Sequence, residues 1–220
     1  MCLYLKRFNV RHINLIAFSV AVLTGVSVAA PAVAMDVRET PRGSLVVTVA
    51  ANTEAAKSFI DKMAQTGIGF LGNEGLTDEQ RTAEFRKLLN ANFDMATIGR
   101  FALGRYWKTA TPAQQTEYQK LFKTMIVKIY SRRFKDYNGQ KLEITAARAD
   151  GETDVIVSSS IVPPNGQKVS VDWRVRNSKV VDILVEGVSM ALTQRSDFAS
   201  VIQRGGGNVD VLLEHLRAQQ

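Results

Sequence analysis

The side chains from which catalytic and metal sites are assembled are scarce in this chain of 220 residues, which holds two histidines, His12 and His215, and one cysteine, Cys2. A zinc site needs three or four His, Cys or carboxylate ligands, and a Ser or Cys nucleophile needs a base beside it. His215 on a C-terminal helix supplies neither and reads as a solvated residue. The remaining option is acid–base chemistry by a carboxylate such as Asp154 or Asp172 with Tyr106 or Tyr130. Asp172 falls on the wet phase of its strand, and no spacing fixes a pair, so no catalytic residue is assigned. Gly67-Ile68-Gly69-Phe70-Leu71-Gly72 matches the G-x-G-x-x-G string of dinucleotide folds. That motif must follow a strand and open a helix, whereas this one closes a helix. No cofactor and no metal are expected.

The elements that position these residues begin with an export signal. Lys6, Arg7 and Arg11 precede the apolar run Ile13 to Ala30, and Ala32-Val33-Ala34 forms an A-x-A site. This pattern predicts a secretory signal peptide over residues 1–34, cut after Ala34; the run is near the minimum for a membrane anchor, but its small-residue exit favours cleavage. Those three basic residues leave with it and no acidic one does, so the formal charge falls from +7 to +4. Much of the basicity is therefore targeting signal, and nucleic-acid binding is not indicated. Cys2 leaves too, so the mature chain enters an oxidising compartment with no disulfide available. Residues 35–220 suit one domain, with 35–52 expected as a loosely ordered leader.

Leu45 to Ala51 is open between a short strand and the lead-in to a helix. Ala56, Phe59, Ile60, Met63 and Gly67 share one helical face, which predicts a helix from Thr53 to about Phe70. Thr77 with Gln80 makes a capping box, Asp94 caps a short helix ended by Gly104, and Thr111-Pro112-Ala113-Gln114 opens a long helix predicted to reach about Tyr137. Tyr118, Leu121, Phe122, Met125, Ile126 and Ile129 give that helix one apolar stripe. After Gly139 the period becomes two. Leu142, Ile144 and Ala146 predict the inner face of one strand and Val169, Val171, Trp173 and Val175 that of another. Thr153 to Ile161 and Val180 to Val185 complete four strands, with turns at Pro163-Pro164-Asn165-Gly166 and Asn177-Ser178-Lys179. Helices from about Leu192 to Arg204 and from Asn208 to Ala218 follow. The fold class is α+β, with helices packed on one face of a curved four-stranded antiparallel meander.

Two segments carry a resemblance: Leu103 to Gln115, L-G-R-Y-W-K-T-A-T-P-A-Q-Q, and Glu186 to Met190, E-G-V-S-M. Both resemble segments of the MlaC-type proteins, the toluene-tolerance family of the pathway that maintains outer-membrane lipid asymmetry, and the likeness runs from about Phe93 to Ala218. It implies a carrier in the periplasm of a Gram-negative bacterium, with a phospholipid as cargo in an apolar cavity between helices and sheet. Its implied partners are an inner-membrane ABC transporter complex with a lipid-binding periplasmic subunit and an outer-membrane lipoprotein–porin complex, with transient membrane contact through them; no nucleic acid is implied. It places Tyr106, Trp107, Val188 and Met190 near the cavity and leaves Glu186 and Gly187 to shape a chain reversal. Met63, Phe101, Leu103, Phe122, Met125, Ile129, Val171 and Trp173 complete the expected lining. A tryptophan at Met125 would then fill the cavity and spare the fold. The alternatives are a carrier of another apolar lipid, such as a hopanoid precursor, and an assembly factor with a packed core and no ligand.

Overall fold

The structure, a computed structural model, describes residues 43–219. The predicted signal peptide and residues 35–42 of the leader lie outside them. Helix α1, Gly43–Leu71, takes in the ambiguous run Leu45 to Ala51. Residues 43–52, expected as loose leader, are thus helical: no glycine or proline interrupts the chain between Ser44 and Thr53, and an established helix propagates until a breaker stops it. Helices α2 (Asp78–Asn92), α3 (Met95–Leu103) and α4 (Pro112–Ser131) begin at the predicted caps Thr77, Asp94 and Thr111, the first and last with complete capping boxes. Helix α4 stops at Ser131, short of Tyr137, and a 3-10 turn over Phe134–Asp136 follows. Tertiary packing explains the early stop, since the tightened chain sets the Phe134 ring edge-on to Phe85 at 5.2 Å and to Phe70 at 6.0 Å.

Strands β1 (Lys141–Asp150), β2 (Asp154–Val162), β3 (Val169–Arg176) and β4 (Lys179–Val185) form the expected meander, and a two-residue strand β5 (Val188–Ser189) extends it in the order β1-β2-β3-β4-β5. All pairs are antiparallel. Asn177 and Ser178, at φ 49° and 54°, make the two-residue loop between β3 and β4 whose left-handed backbone matches strand twist. The rows Val155–Val175–Val180 and Val157–Trp173–Ile183 set the inner face. One expected alternation slips. Pairing with β2 shifts between Ile144 and Ala146, so Ala146 is exposed and half-buried Ala147 packs inward in its place. A second irregularity between Arg174 and Val175 lets Val180 and Val181 both be buried. Helices α5 (Met190–Arg204) and α6 (Val209–Arg217) start at Ser189 and Asn208.

The buried apolar residues fall into two clusters. One joins α3, α4, α5 and α6 around Leu103, Tyr118, Phe122, Met125, Phe198, Ile202 and Leu216. The other sets Ala56, Ile60 and Met63 of α1 against Val155, Val157, Val175 and Val180 of the sheet. Phe93, between α2 and α3, packs against both. Its segment is pinned to β4, where the Asp94 N–H donates to the Val180 carbonyl at 3.0 Å and Lys179 Nζ donates to the Ala91 carbonyl. Across the helical cluster Gln114 Nε2 donates to Asp210 Oδ1 at 2.7 Å, and Arg217 Nε to Glu117 Oε1 at 2.7 Å. Among the described residues no helix is long and apolar enough to cross a membrane.

Candidate functional site

The segment Leu103 to Gln115 is a reversal built almost entirely from local chemistry. Helix α3 ends at Gly104, whose φ of 61° and ψ of −132° lie where only glycine is comfortable. A Cβ there would also stand 2.8 Å from Arg195 Nε of α5. The 3-10 turn Gly104–Trp107 buries Tyr106, whose carbonyl accepts the Ala110 N–H at 2.9 Å. Gln115 Nε2 reaches back to the carbonyls of Trp107 (2.8 Å) and Ala110 (3.3 Å). Thr111 and Gln114 close the capping box, the structural role expected of them. The Trp107 ring meets Tyr118 edge-on at 6.5 Å. Tyr118 donates its hydroxyl to the Gly99 carbonyl at 2.9 Å, and burial pushes its phenol pKa well above the usual range, so it stays neutral. Sequence reasoning missed Gln115, for which a single glutamine in a helix carries no signal.

Glu186 to Met190 is the second reversal. Glu186 (φ 50°) and Gly187 (φ 77°) form the two-residue loop between β4 and β5, as expected of a chain reversal. Glu186 also latches to β3: its N–H donates to the Ser170 carbonyl at 3.0 Å and its Oε1 accepts the Ser170 N–H at 2.5 Å. Ser189 then caps α5, accepting the Leu192 N–H at 3.0 Å while donating to Asp182 Oδ2 at 2.6 Å. Asp182 Oδ1 accepts the Ala191 N–H at 3.1 Å. A carboxylate at a helix N-terminus is stabilised by the helix dipole, so Asp182 ties the last long strand to α5. Nothing in the sequence marked it, because its partners lie seven and nine residues away through a turn.

The twelve expected lining residues do not form one wall. Leu103, Tyr106, Phe122 and Met125 lie in the helical cluster, with Trp107 and Ile129 half-buried against it. Met63 is buried, and Trp173 half-buried, in the cluster of α1 and the sheet; Val171 is buried on the same sheet face. Met190 is half-buried at the start of α5. Phe101 (42 % exposed) and Val188 (46 % exposed) stand at the surface. Each cluster has apolar neighbours that are only partly buried: Ile126 and Ile129 of α4 beside the helical one, and Trp173, Ile183, Leu142 and Ile144 of the sheet beside the other. Trp173 is held by its polar edge. Its Nε1 donates to Ser159 Oγ at 2.9 Å, and Ser159 donates onward to the Val171 carbonyl at 2.8 Å. The indole N–H therefore needs no further polar partner.

Acid–base chemistry finds little support in the side chains proposed for it. Asp154 is buried, but Arg176 grips it at both oxygens (Nε–Oδ1 2.6 Å, Nη2–Oδ2 2.8 Å) and Thr153 donates to Oδ1 at 2.9 Å. The Arg176 hydrogen bonds hold its carboxyl below the ordinary aspartate pKa, which is opposite to what a general acid near neutral pH requires. Tyr106 instead accepts from its neighbour Arg105, Nη2 to the hydroxyl at 2.9 Å. Among the described residues no group of three His, Cys, Asp or Glu is placed to hold a metal ion.

Comparison with known proteins identifies the family. The Toluene tolerance protein ttg2D of Pseudomonas putida is 27% identical over 114 residues, which is 50% of this chain and 53% of that protein. The intermembrane phospholipid transport system binding protein MlaC of Haemophilus influenzae is 25% identical over 127 residues, 54% of this chain and 58% of that protein. The chain thus spans a little over half the length of these curated relatives. A solved structure, the phospholipid-binding protein from Ralstonia solanacearum in complex with a phospholipid, superposes with a TM-score of 0.65 at 28% identity, covering 74% of this chain and 96% of that one. The family model described as MlaC protein matches residues 62–218, and since that is most of the chain, the chain belongs to the MlaC family.

Proposed function

We propose that this protein is a periplasmic carrier that holds a phospholipid by its acyl chains and shuttles it between an inner-membrane ABC transporter complex and an outer-membrane lipoprotein–porin complex. The observation that carries this reading is the superposition of 74% of this chain on 96% of a protein solved in complex with a phospholipid. The partly buried apolar side chains of α4 and of the sheet support it, and we place the tails in a seam between them. Acyl chains entering between α4 and the sheet would cover Ile126, Ile129, Trp173 and Ile183, the side chains left partly open. The lining we propose keeps Met63, Leu103, Tyr106, Trp107, Phe122, Met125, Ile129, Val171, Trp173 and Met190 around that seam, and leaves exposed Phe101 and Val188 out of it.

The energetics fit the task. Each methylene brought out of an apolar environment into water costs about 0.8 kcal/mol, so two ordinary chains cost on the order of 20 kcal/mol. Unaided diffusion is negligible. A seam that opens at little cost can bury the tails about as well as a bilayer does, which keeps release possible and leaves direction to the partners. Binding is the whole activity in this reading, and no group acts as a catalyst. Native mass spectrometry of the protein purified from its cell, followed by extraction and lipid identification, tests it. A stoichiometric two-chain phospholipid is expected. An unloaded mass with no uptake from vesicles would refute the carrier, and a single apolar species of another kind would refute the choice of cargo.

A further inference from the structure

Three arginines with no carboxylate partner stand on α3, on the 3-10 turn that follows it and on α5, which packs against both. Arg195 lies over the Phe101 ring at 5.2 Å, Arg100 over Trp107 at 5.9 Å, and Arg105 over Tyr106 at 4.9 Å. Among the described residues these are the guanidiniums stacked on rings, and none is in an ion pair with a carboxylate. Stacking fixes a guanidinium in place without cancelling its charge, because a ring offers a quadrupole and no counter-charge. The acidic residue nearest Arg195 in sequence, Asp197, is two positions on, and residues two apart on a helix do not face each other.

The same surface carries exposed apolar side chains. Phe101 is 42%, Val188 46% and Leu192 57% exposed, three of the four large hydrophobic residues so exposed among those described. Leu192 and Arg195 are three apart on α5, Val188 precedes that helix by two residues, and Phe101 meets Arg195 directly. Apolar tips flanked by uncancelled, pre-oriented guanidiniums suit a plane that offers phosphate oxygens above a hydrocarbon layer. We propose that this patch docks on the surface of an anionic phospholipid bilayer, so that the protein touches the membrane itself as well as through partner proteins. The docking face adjoins the proposed lining at Tyr106 and Trp107, on which Arg105 and Arg100 stack, but its apolar tips Phe101, Val188 and Leu192 lie outside that lining, and its test does not depend on what the lining carries.

The test is co-sedimentation of the full protein with vesicles of phosphatidylcholine alone and of phosphatidylcholine with phosphatidylglycerol, at low and at physiological salt. Arg100→Glu and Leu192→Ser are compared with the wild type, each checked for an unchanged melting temperature and lipid load. Binding only to the phosphatidylglycerol vesicles is expected, weakened by salt, with Arg100→Glu lowering the partition about tenfold or more and Leu192→Ser lowering it at both salt concentrations. Equal binding to both vesicle types would overturn the proposal, as would variants that bind like the wild type. Absence of vesicle binding, with Arg100→Glu instead losing affinity for a poly-glutamate peptide, would give the patch to an acidic protein and overturn it as well. A protein that docks but purifies without lipid would leave this inference standing and refute the carrier reading alone.

Discussion

Replacing Gly104 with alanine separates two costs that the structure places on one atom. The first is backbone strain, since φ 61° with ψ −132° lies in a region essentially closed to residues with a Cβ and costs roughly 1–3 kcal/mol. The second is steric, because the new methyl would sit 2.8 Å from Arg195 Nε and 3.4 Å from its Cγ and Cδ. The obstructing atoms belong to a long flexible side chain that can swing toward solvent, at the loss of its stacking on Phe101, worth about 0.5–1 kcal/mol. Strain should therefore dominate. Gly104→Ala is expected to lose about 2 kcal/mol in urea denaturation, or roughly 4–8 °C in melting temperature for a domain of this size. Arg195→Ala alone should cost under about 1 kcal/mol, and the double variant should recover no more than that steric part. Full recovery in the double variant would mean that the close contact, not the dihedral, dictates glycine. A Gly104→Ala protein melting within a degree of the wild type would refute the account of how α3 is ended.

Acid should unfold the protein partly through Asp154. Its folded pKa is depressed, so the stabilisation from Arg176 is fully present above the ordinary aspartate value near pH 4 and is lost as pH falls through the lower folded value. Asp154→Asn should lower the neutral-pH melting temperature and flatten the acid limb of a stability–pH curve; an unchanged limb would remove Asp154 from the explanation. Thr111→Ala, which breaks a capping box at an exposed site, should cost about 1 kcal/mol by chemical denaturation, whereas a neutral result would show the cap to be redundant. Met125 is 1 % exposed within the packed helical cluster, so Met125→Trp should overpack and lose about 1–3 kcal/mol, where the sequence alone suggested a harmless cavity filler. A normally melting Met125→Trp protein with reduced lipid load would restore the earlier expectation.

The features legible in the sequence were those governed by a few neighbouring residues. Thr77, Asp94, Thr111 and Asn208 cap helices because their oxygens satisfy N–H groups two or three residues on, and Asn177-Ser178 turns because a two-residue loop needs a left-handed backbone. What escaped notice was settled at a distance. The early end of α4 depends on Phe134 meeting Phe70 and Phe85. The slip after Ile144 depends on its partner strand, and a period-two pattern cannot register an inserted residue. The division of the interior into two clusters was likewise invisible, because one apolar stripe on α4 looks the same whether its neighbour is α6 or the sheet. The exposure of Phe101 was hidden for a similar reason: hydropathy reports what a side chain prefers, and contact decides what it receives.

The ties between α4 and α6 bear on how the chain acquires its shape. Strands β1 to β4 each pair with the next in sequence, so the sheet can close hairpin by hairpin at small entropic cost. The helical cluster has only part of such a route, because α3 packs on α4 and α5 on α6 but the whole sheet separates the two pairs in sequence. Gln114 waits for Asp210 and Glu117 for Arg217, and Phe122 for Phe198 of α5, so α3 and α4 remain unsealed until the sheet has been made and α5 and α6 arrive. During that interval the newly made protein presents a greasy face to any chaperone or membrane nearby, and the last helix to appear is the one that ends its exposure.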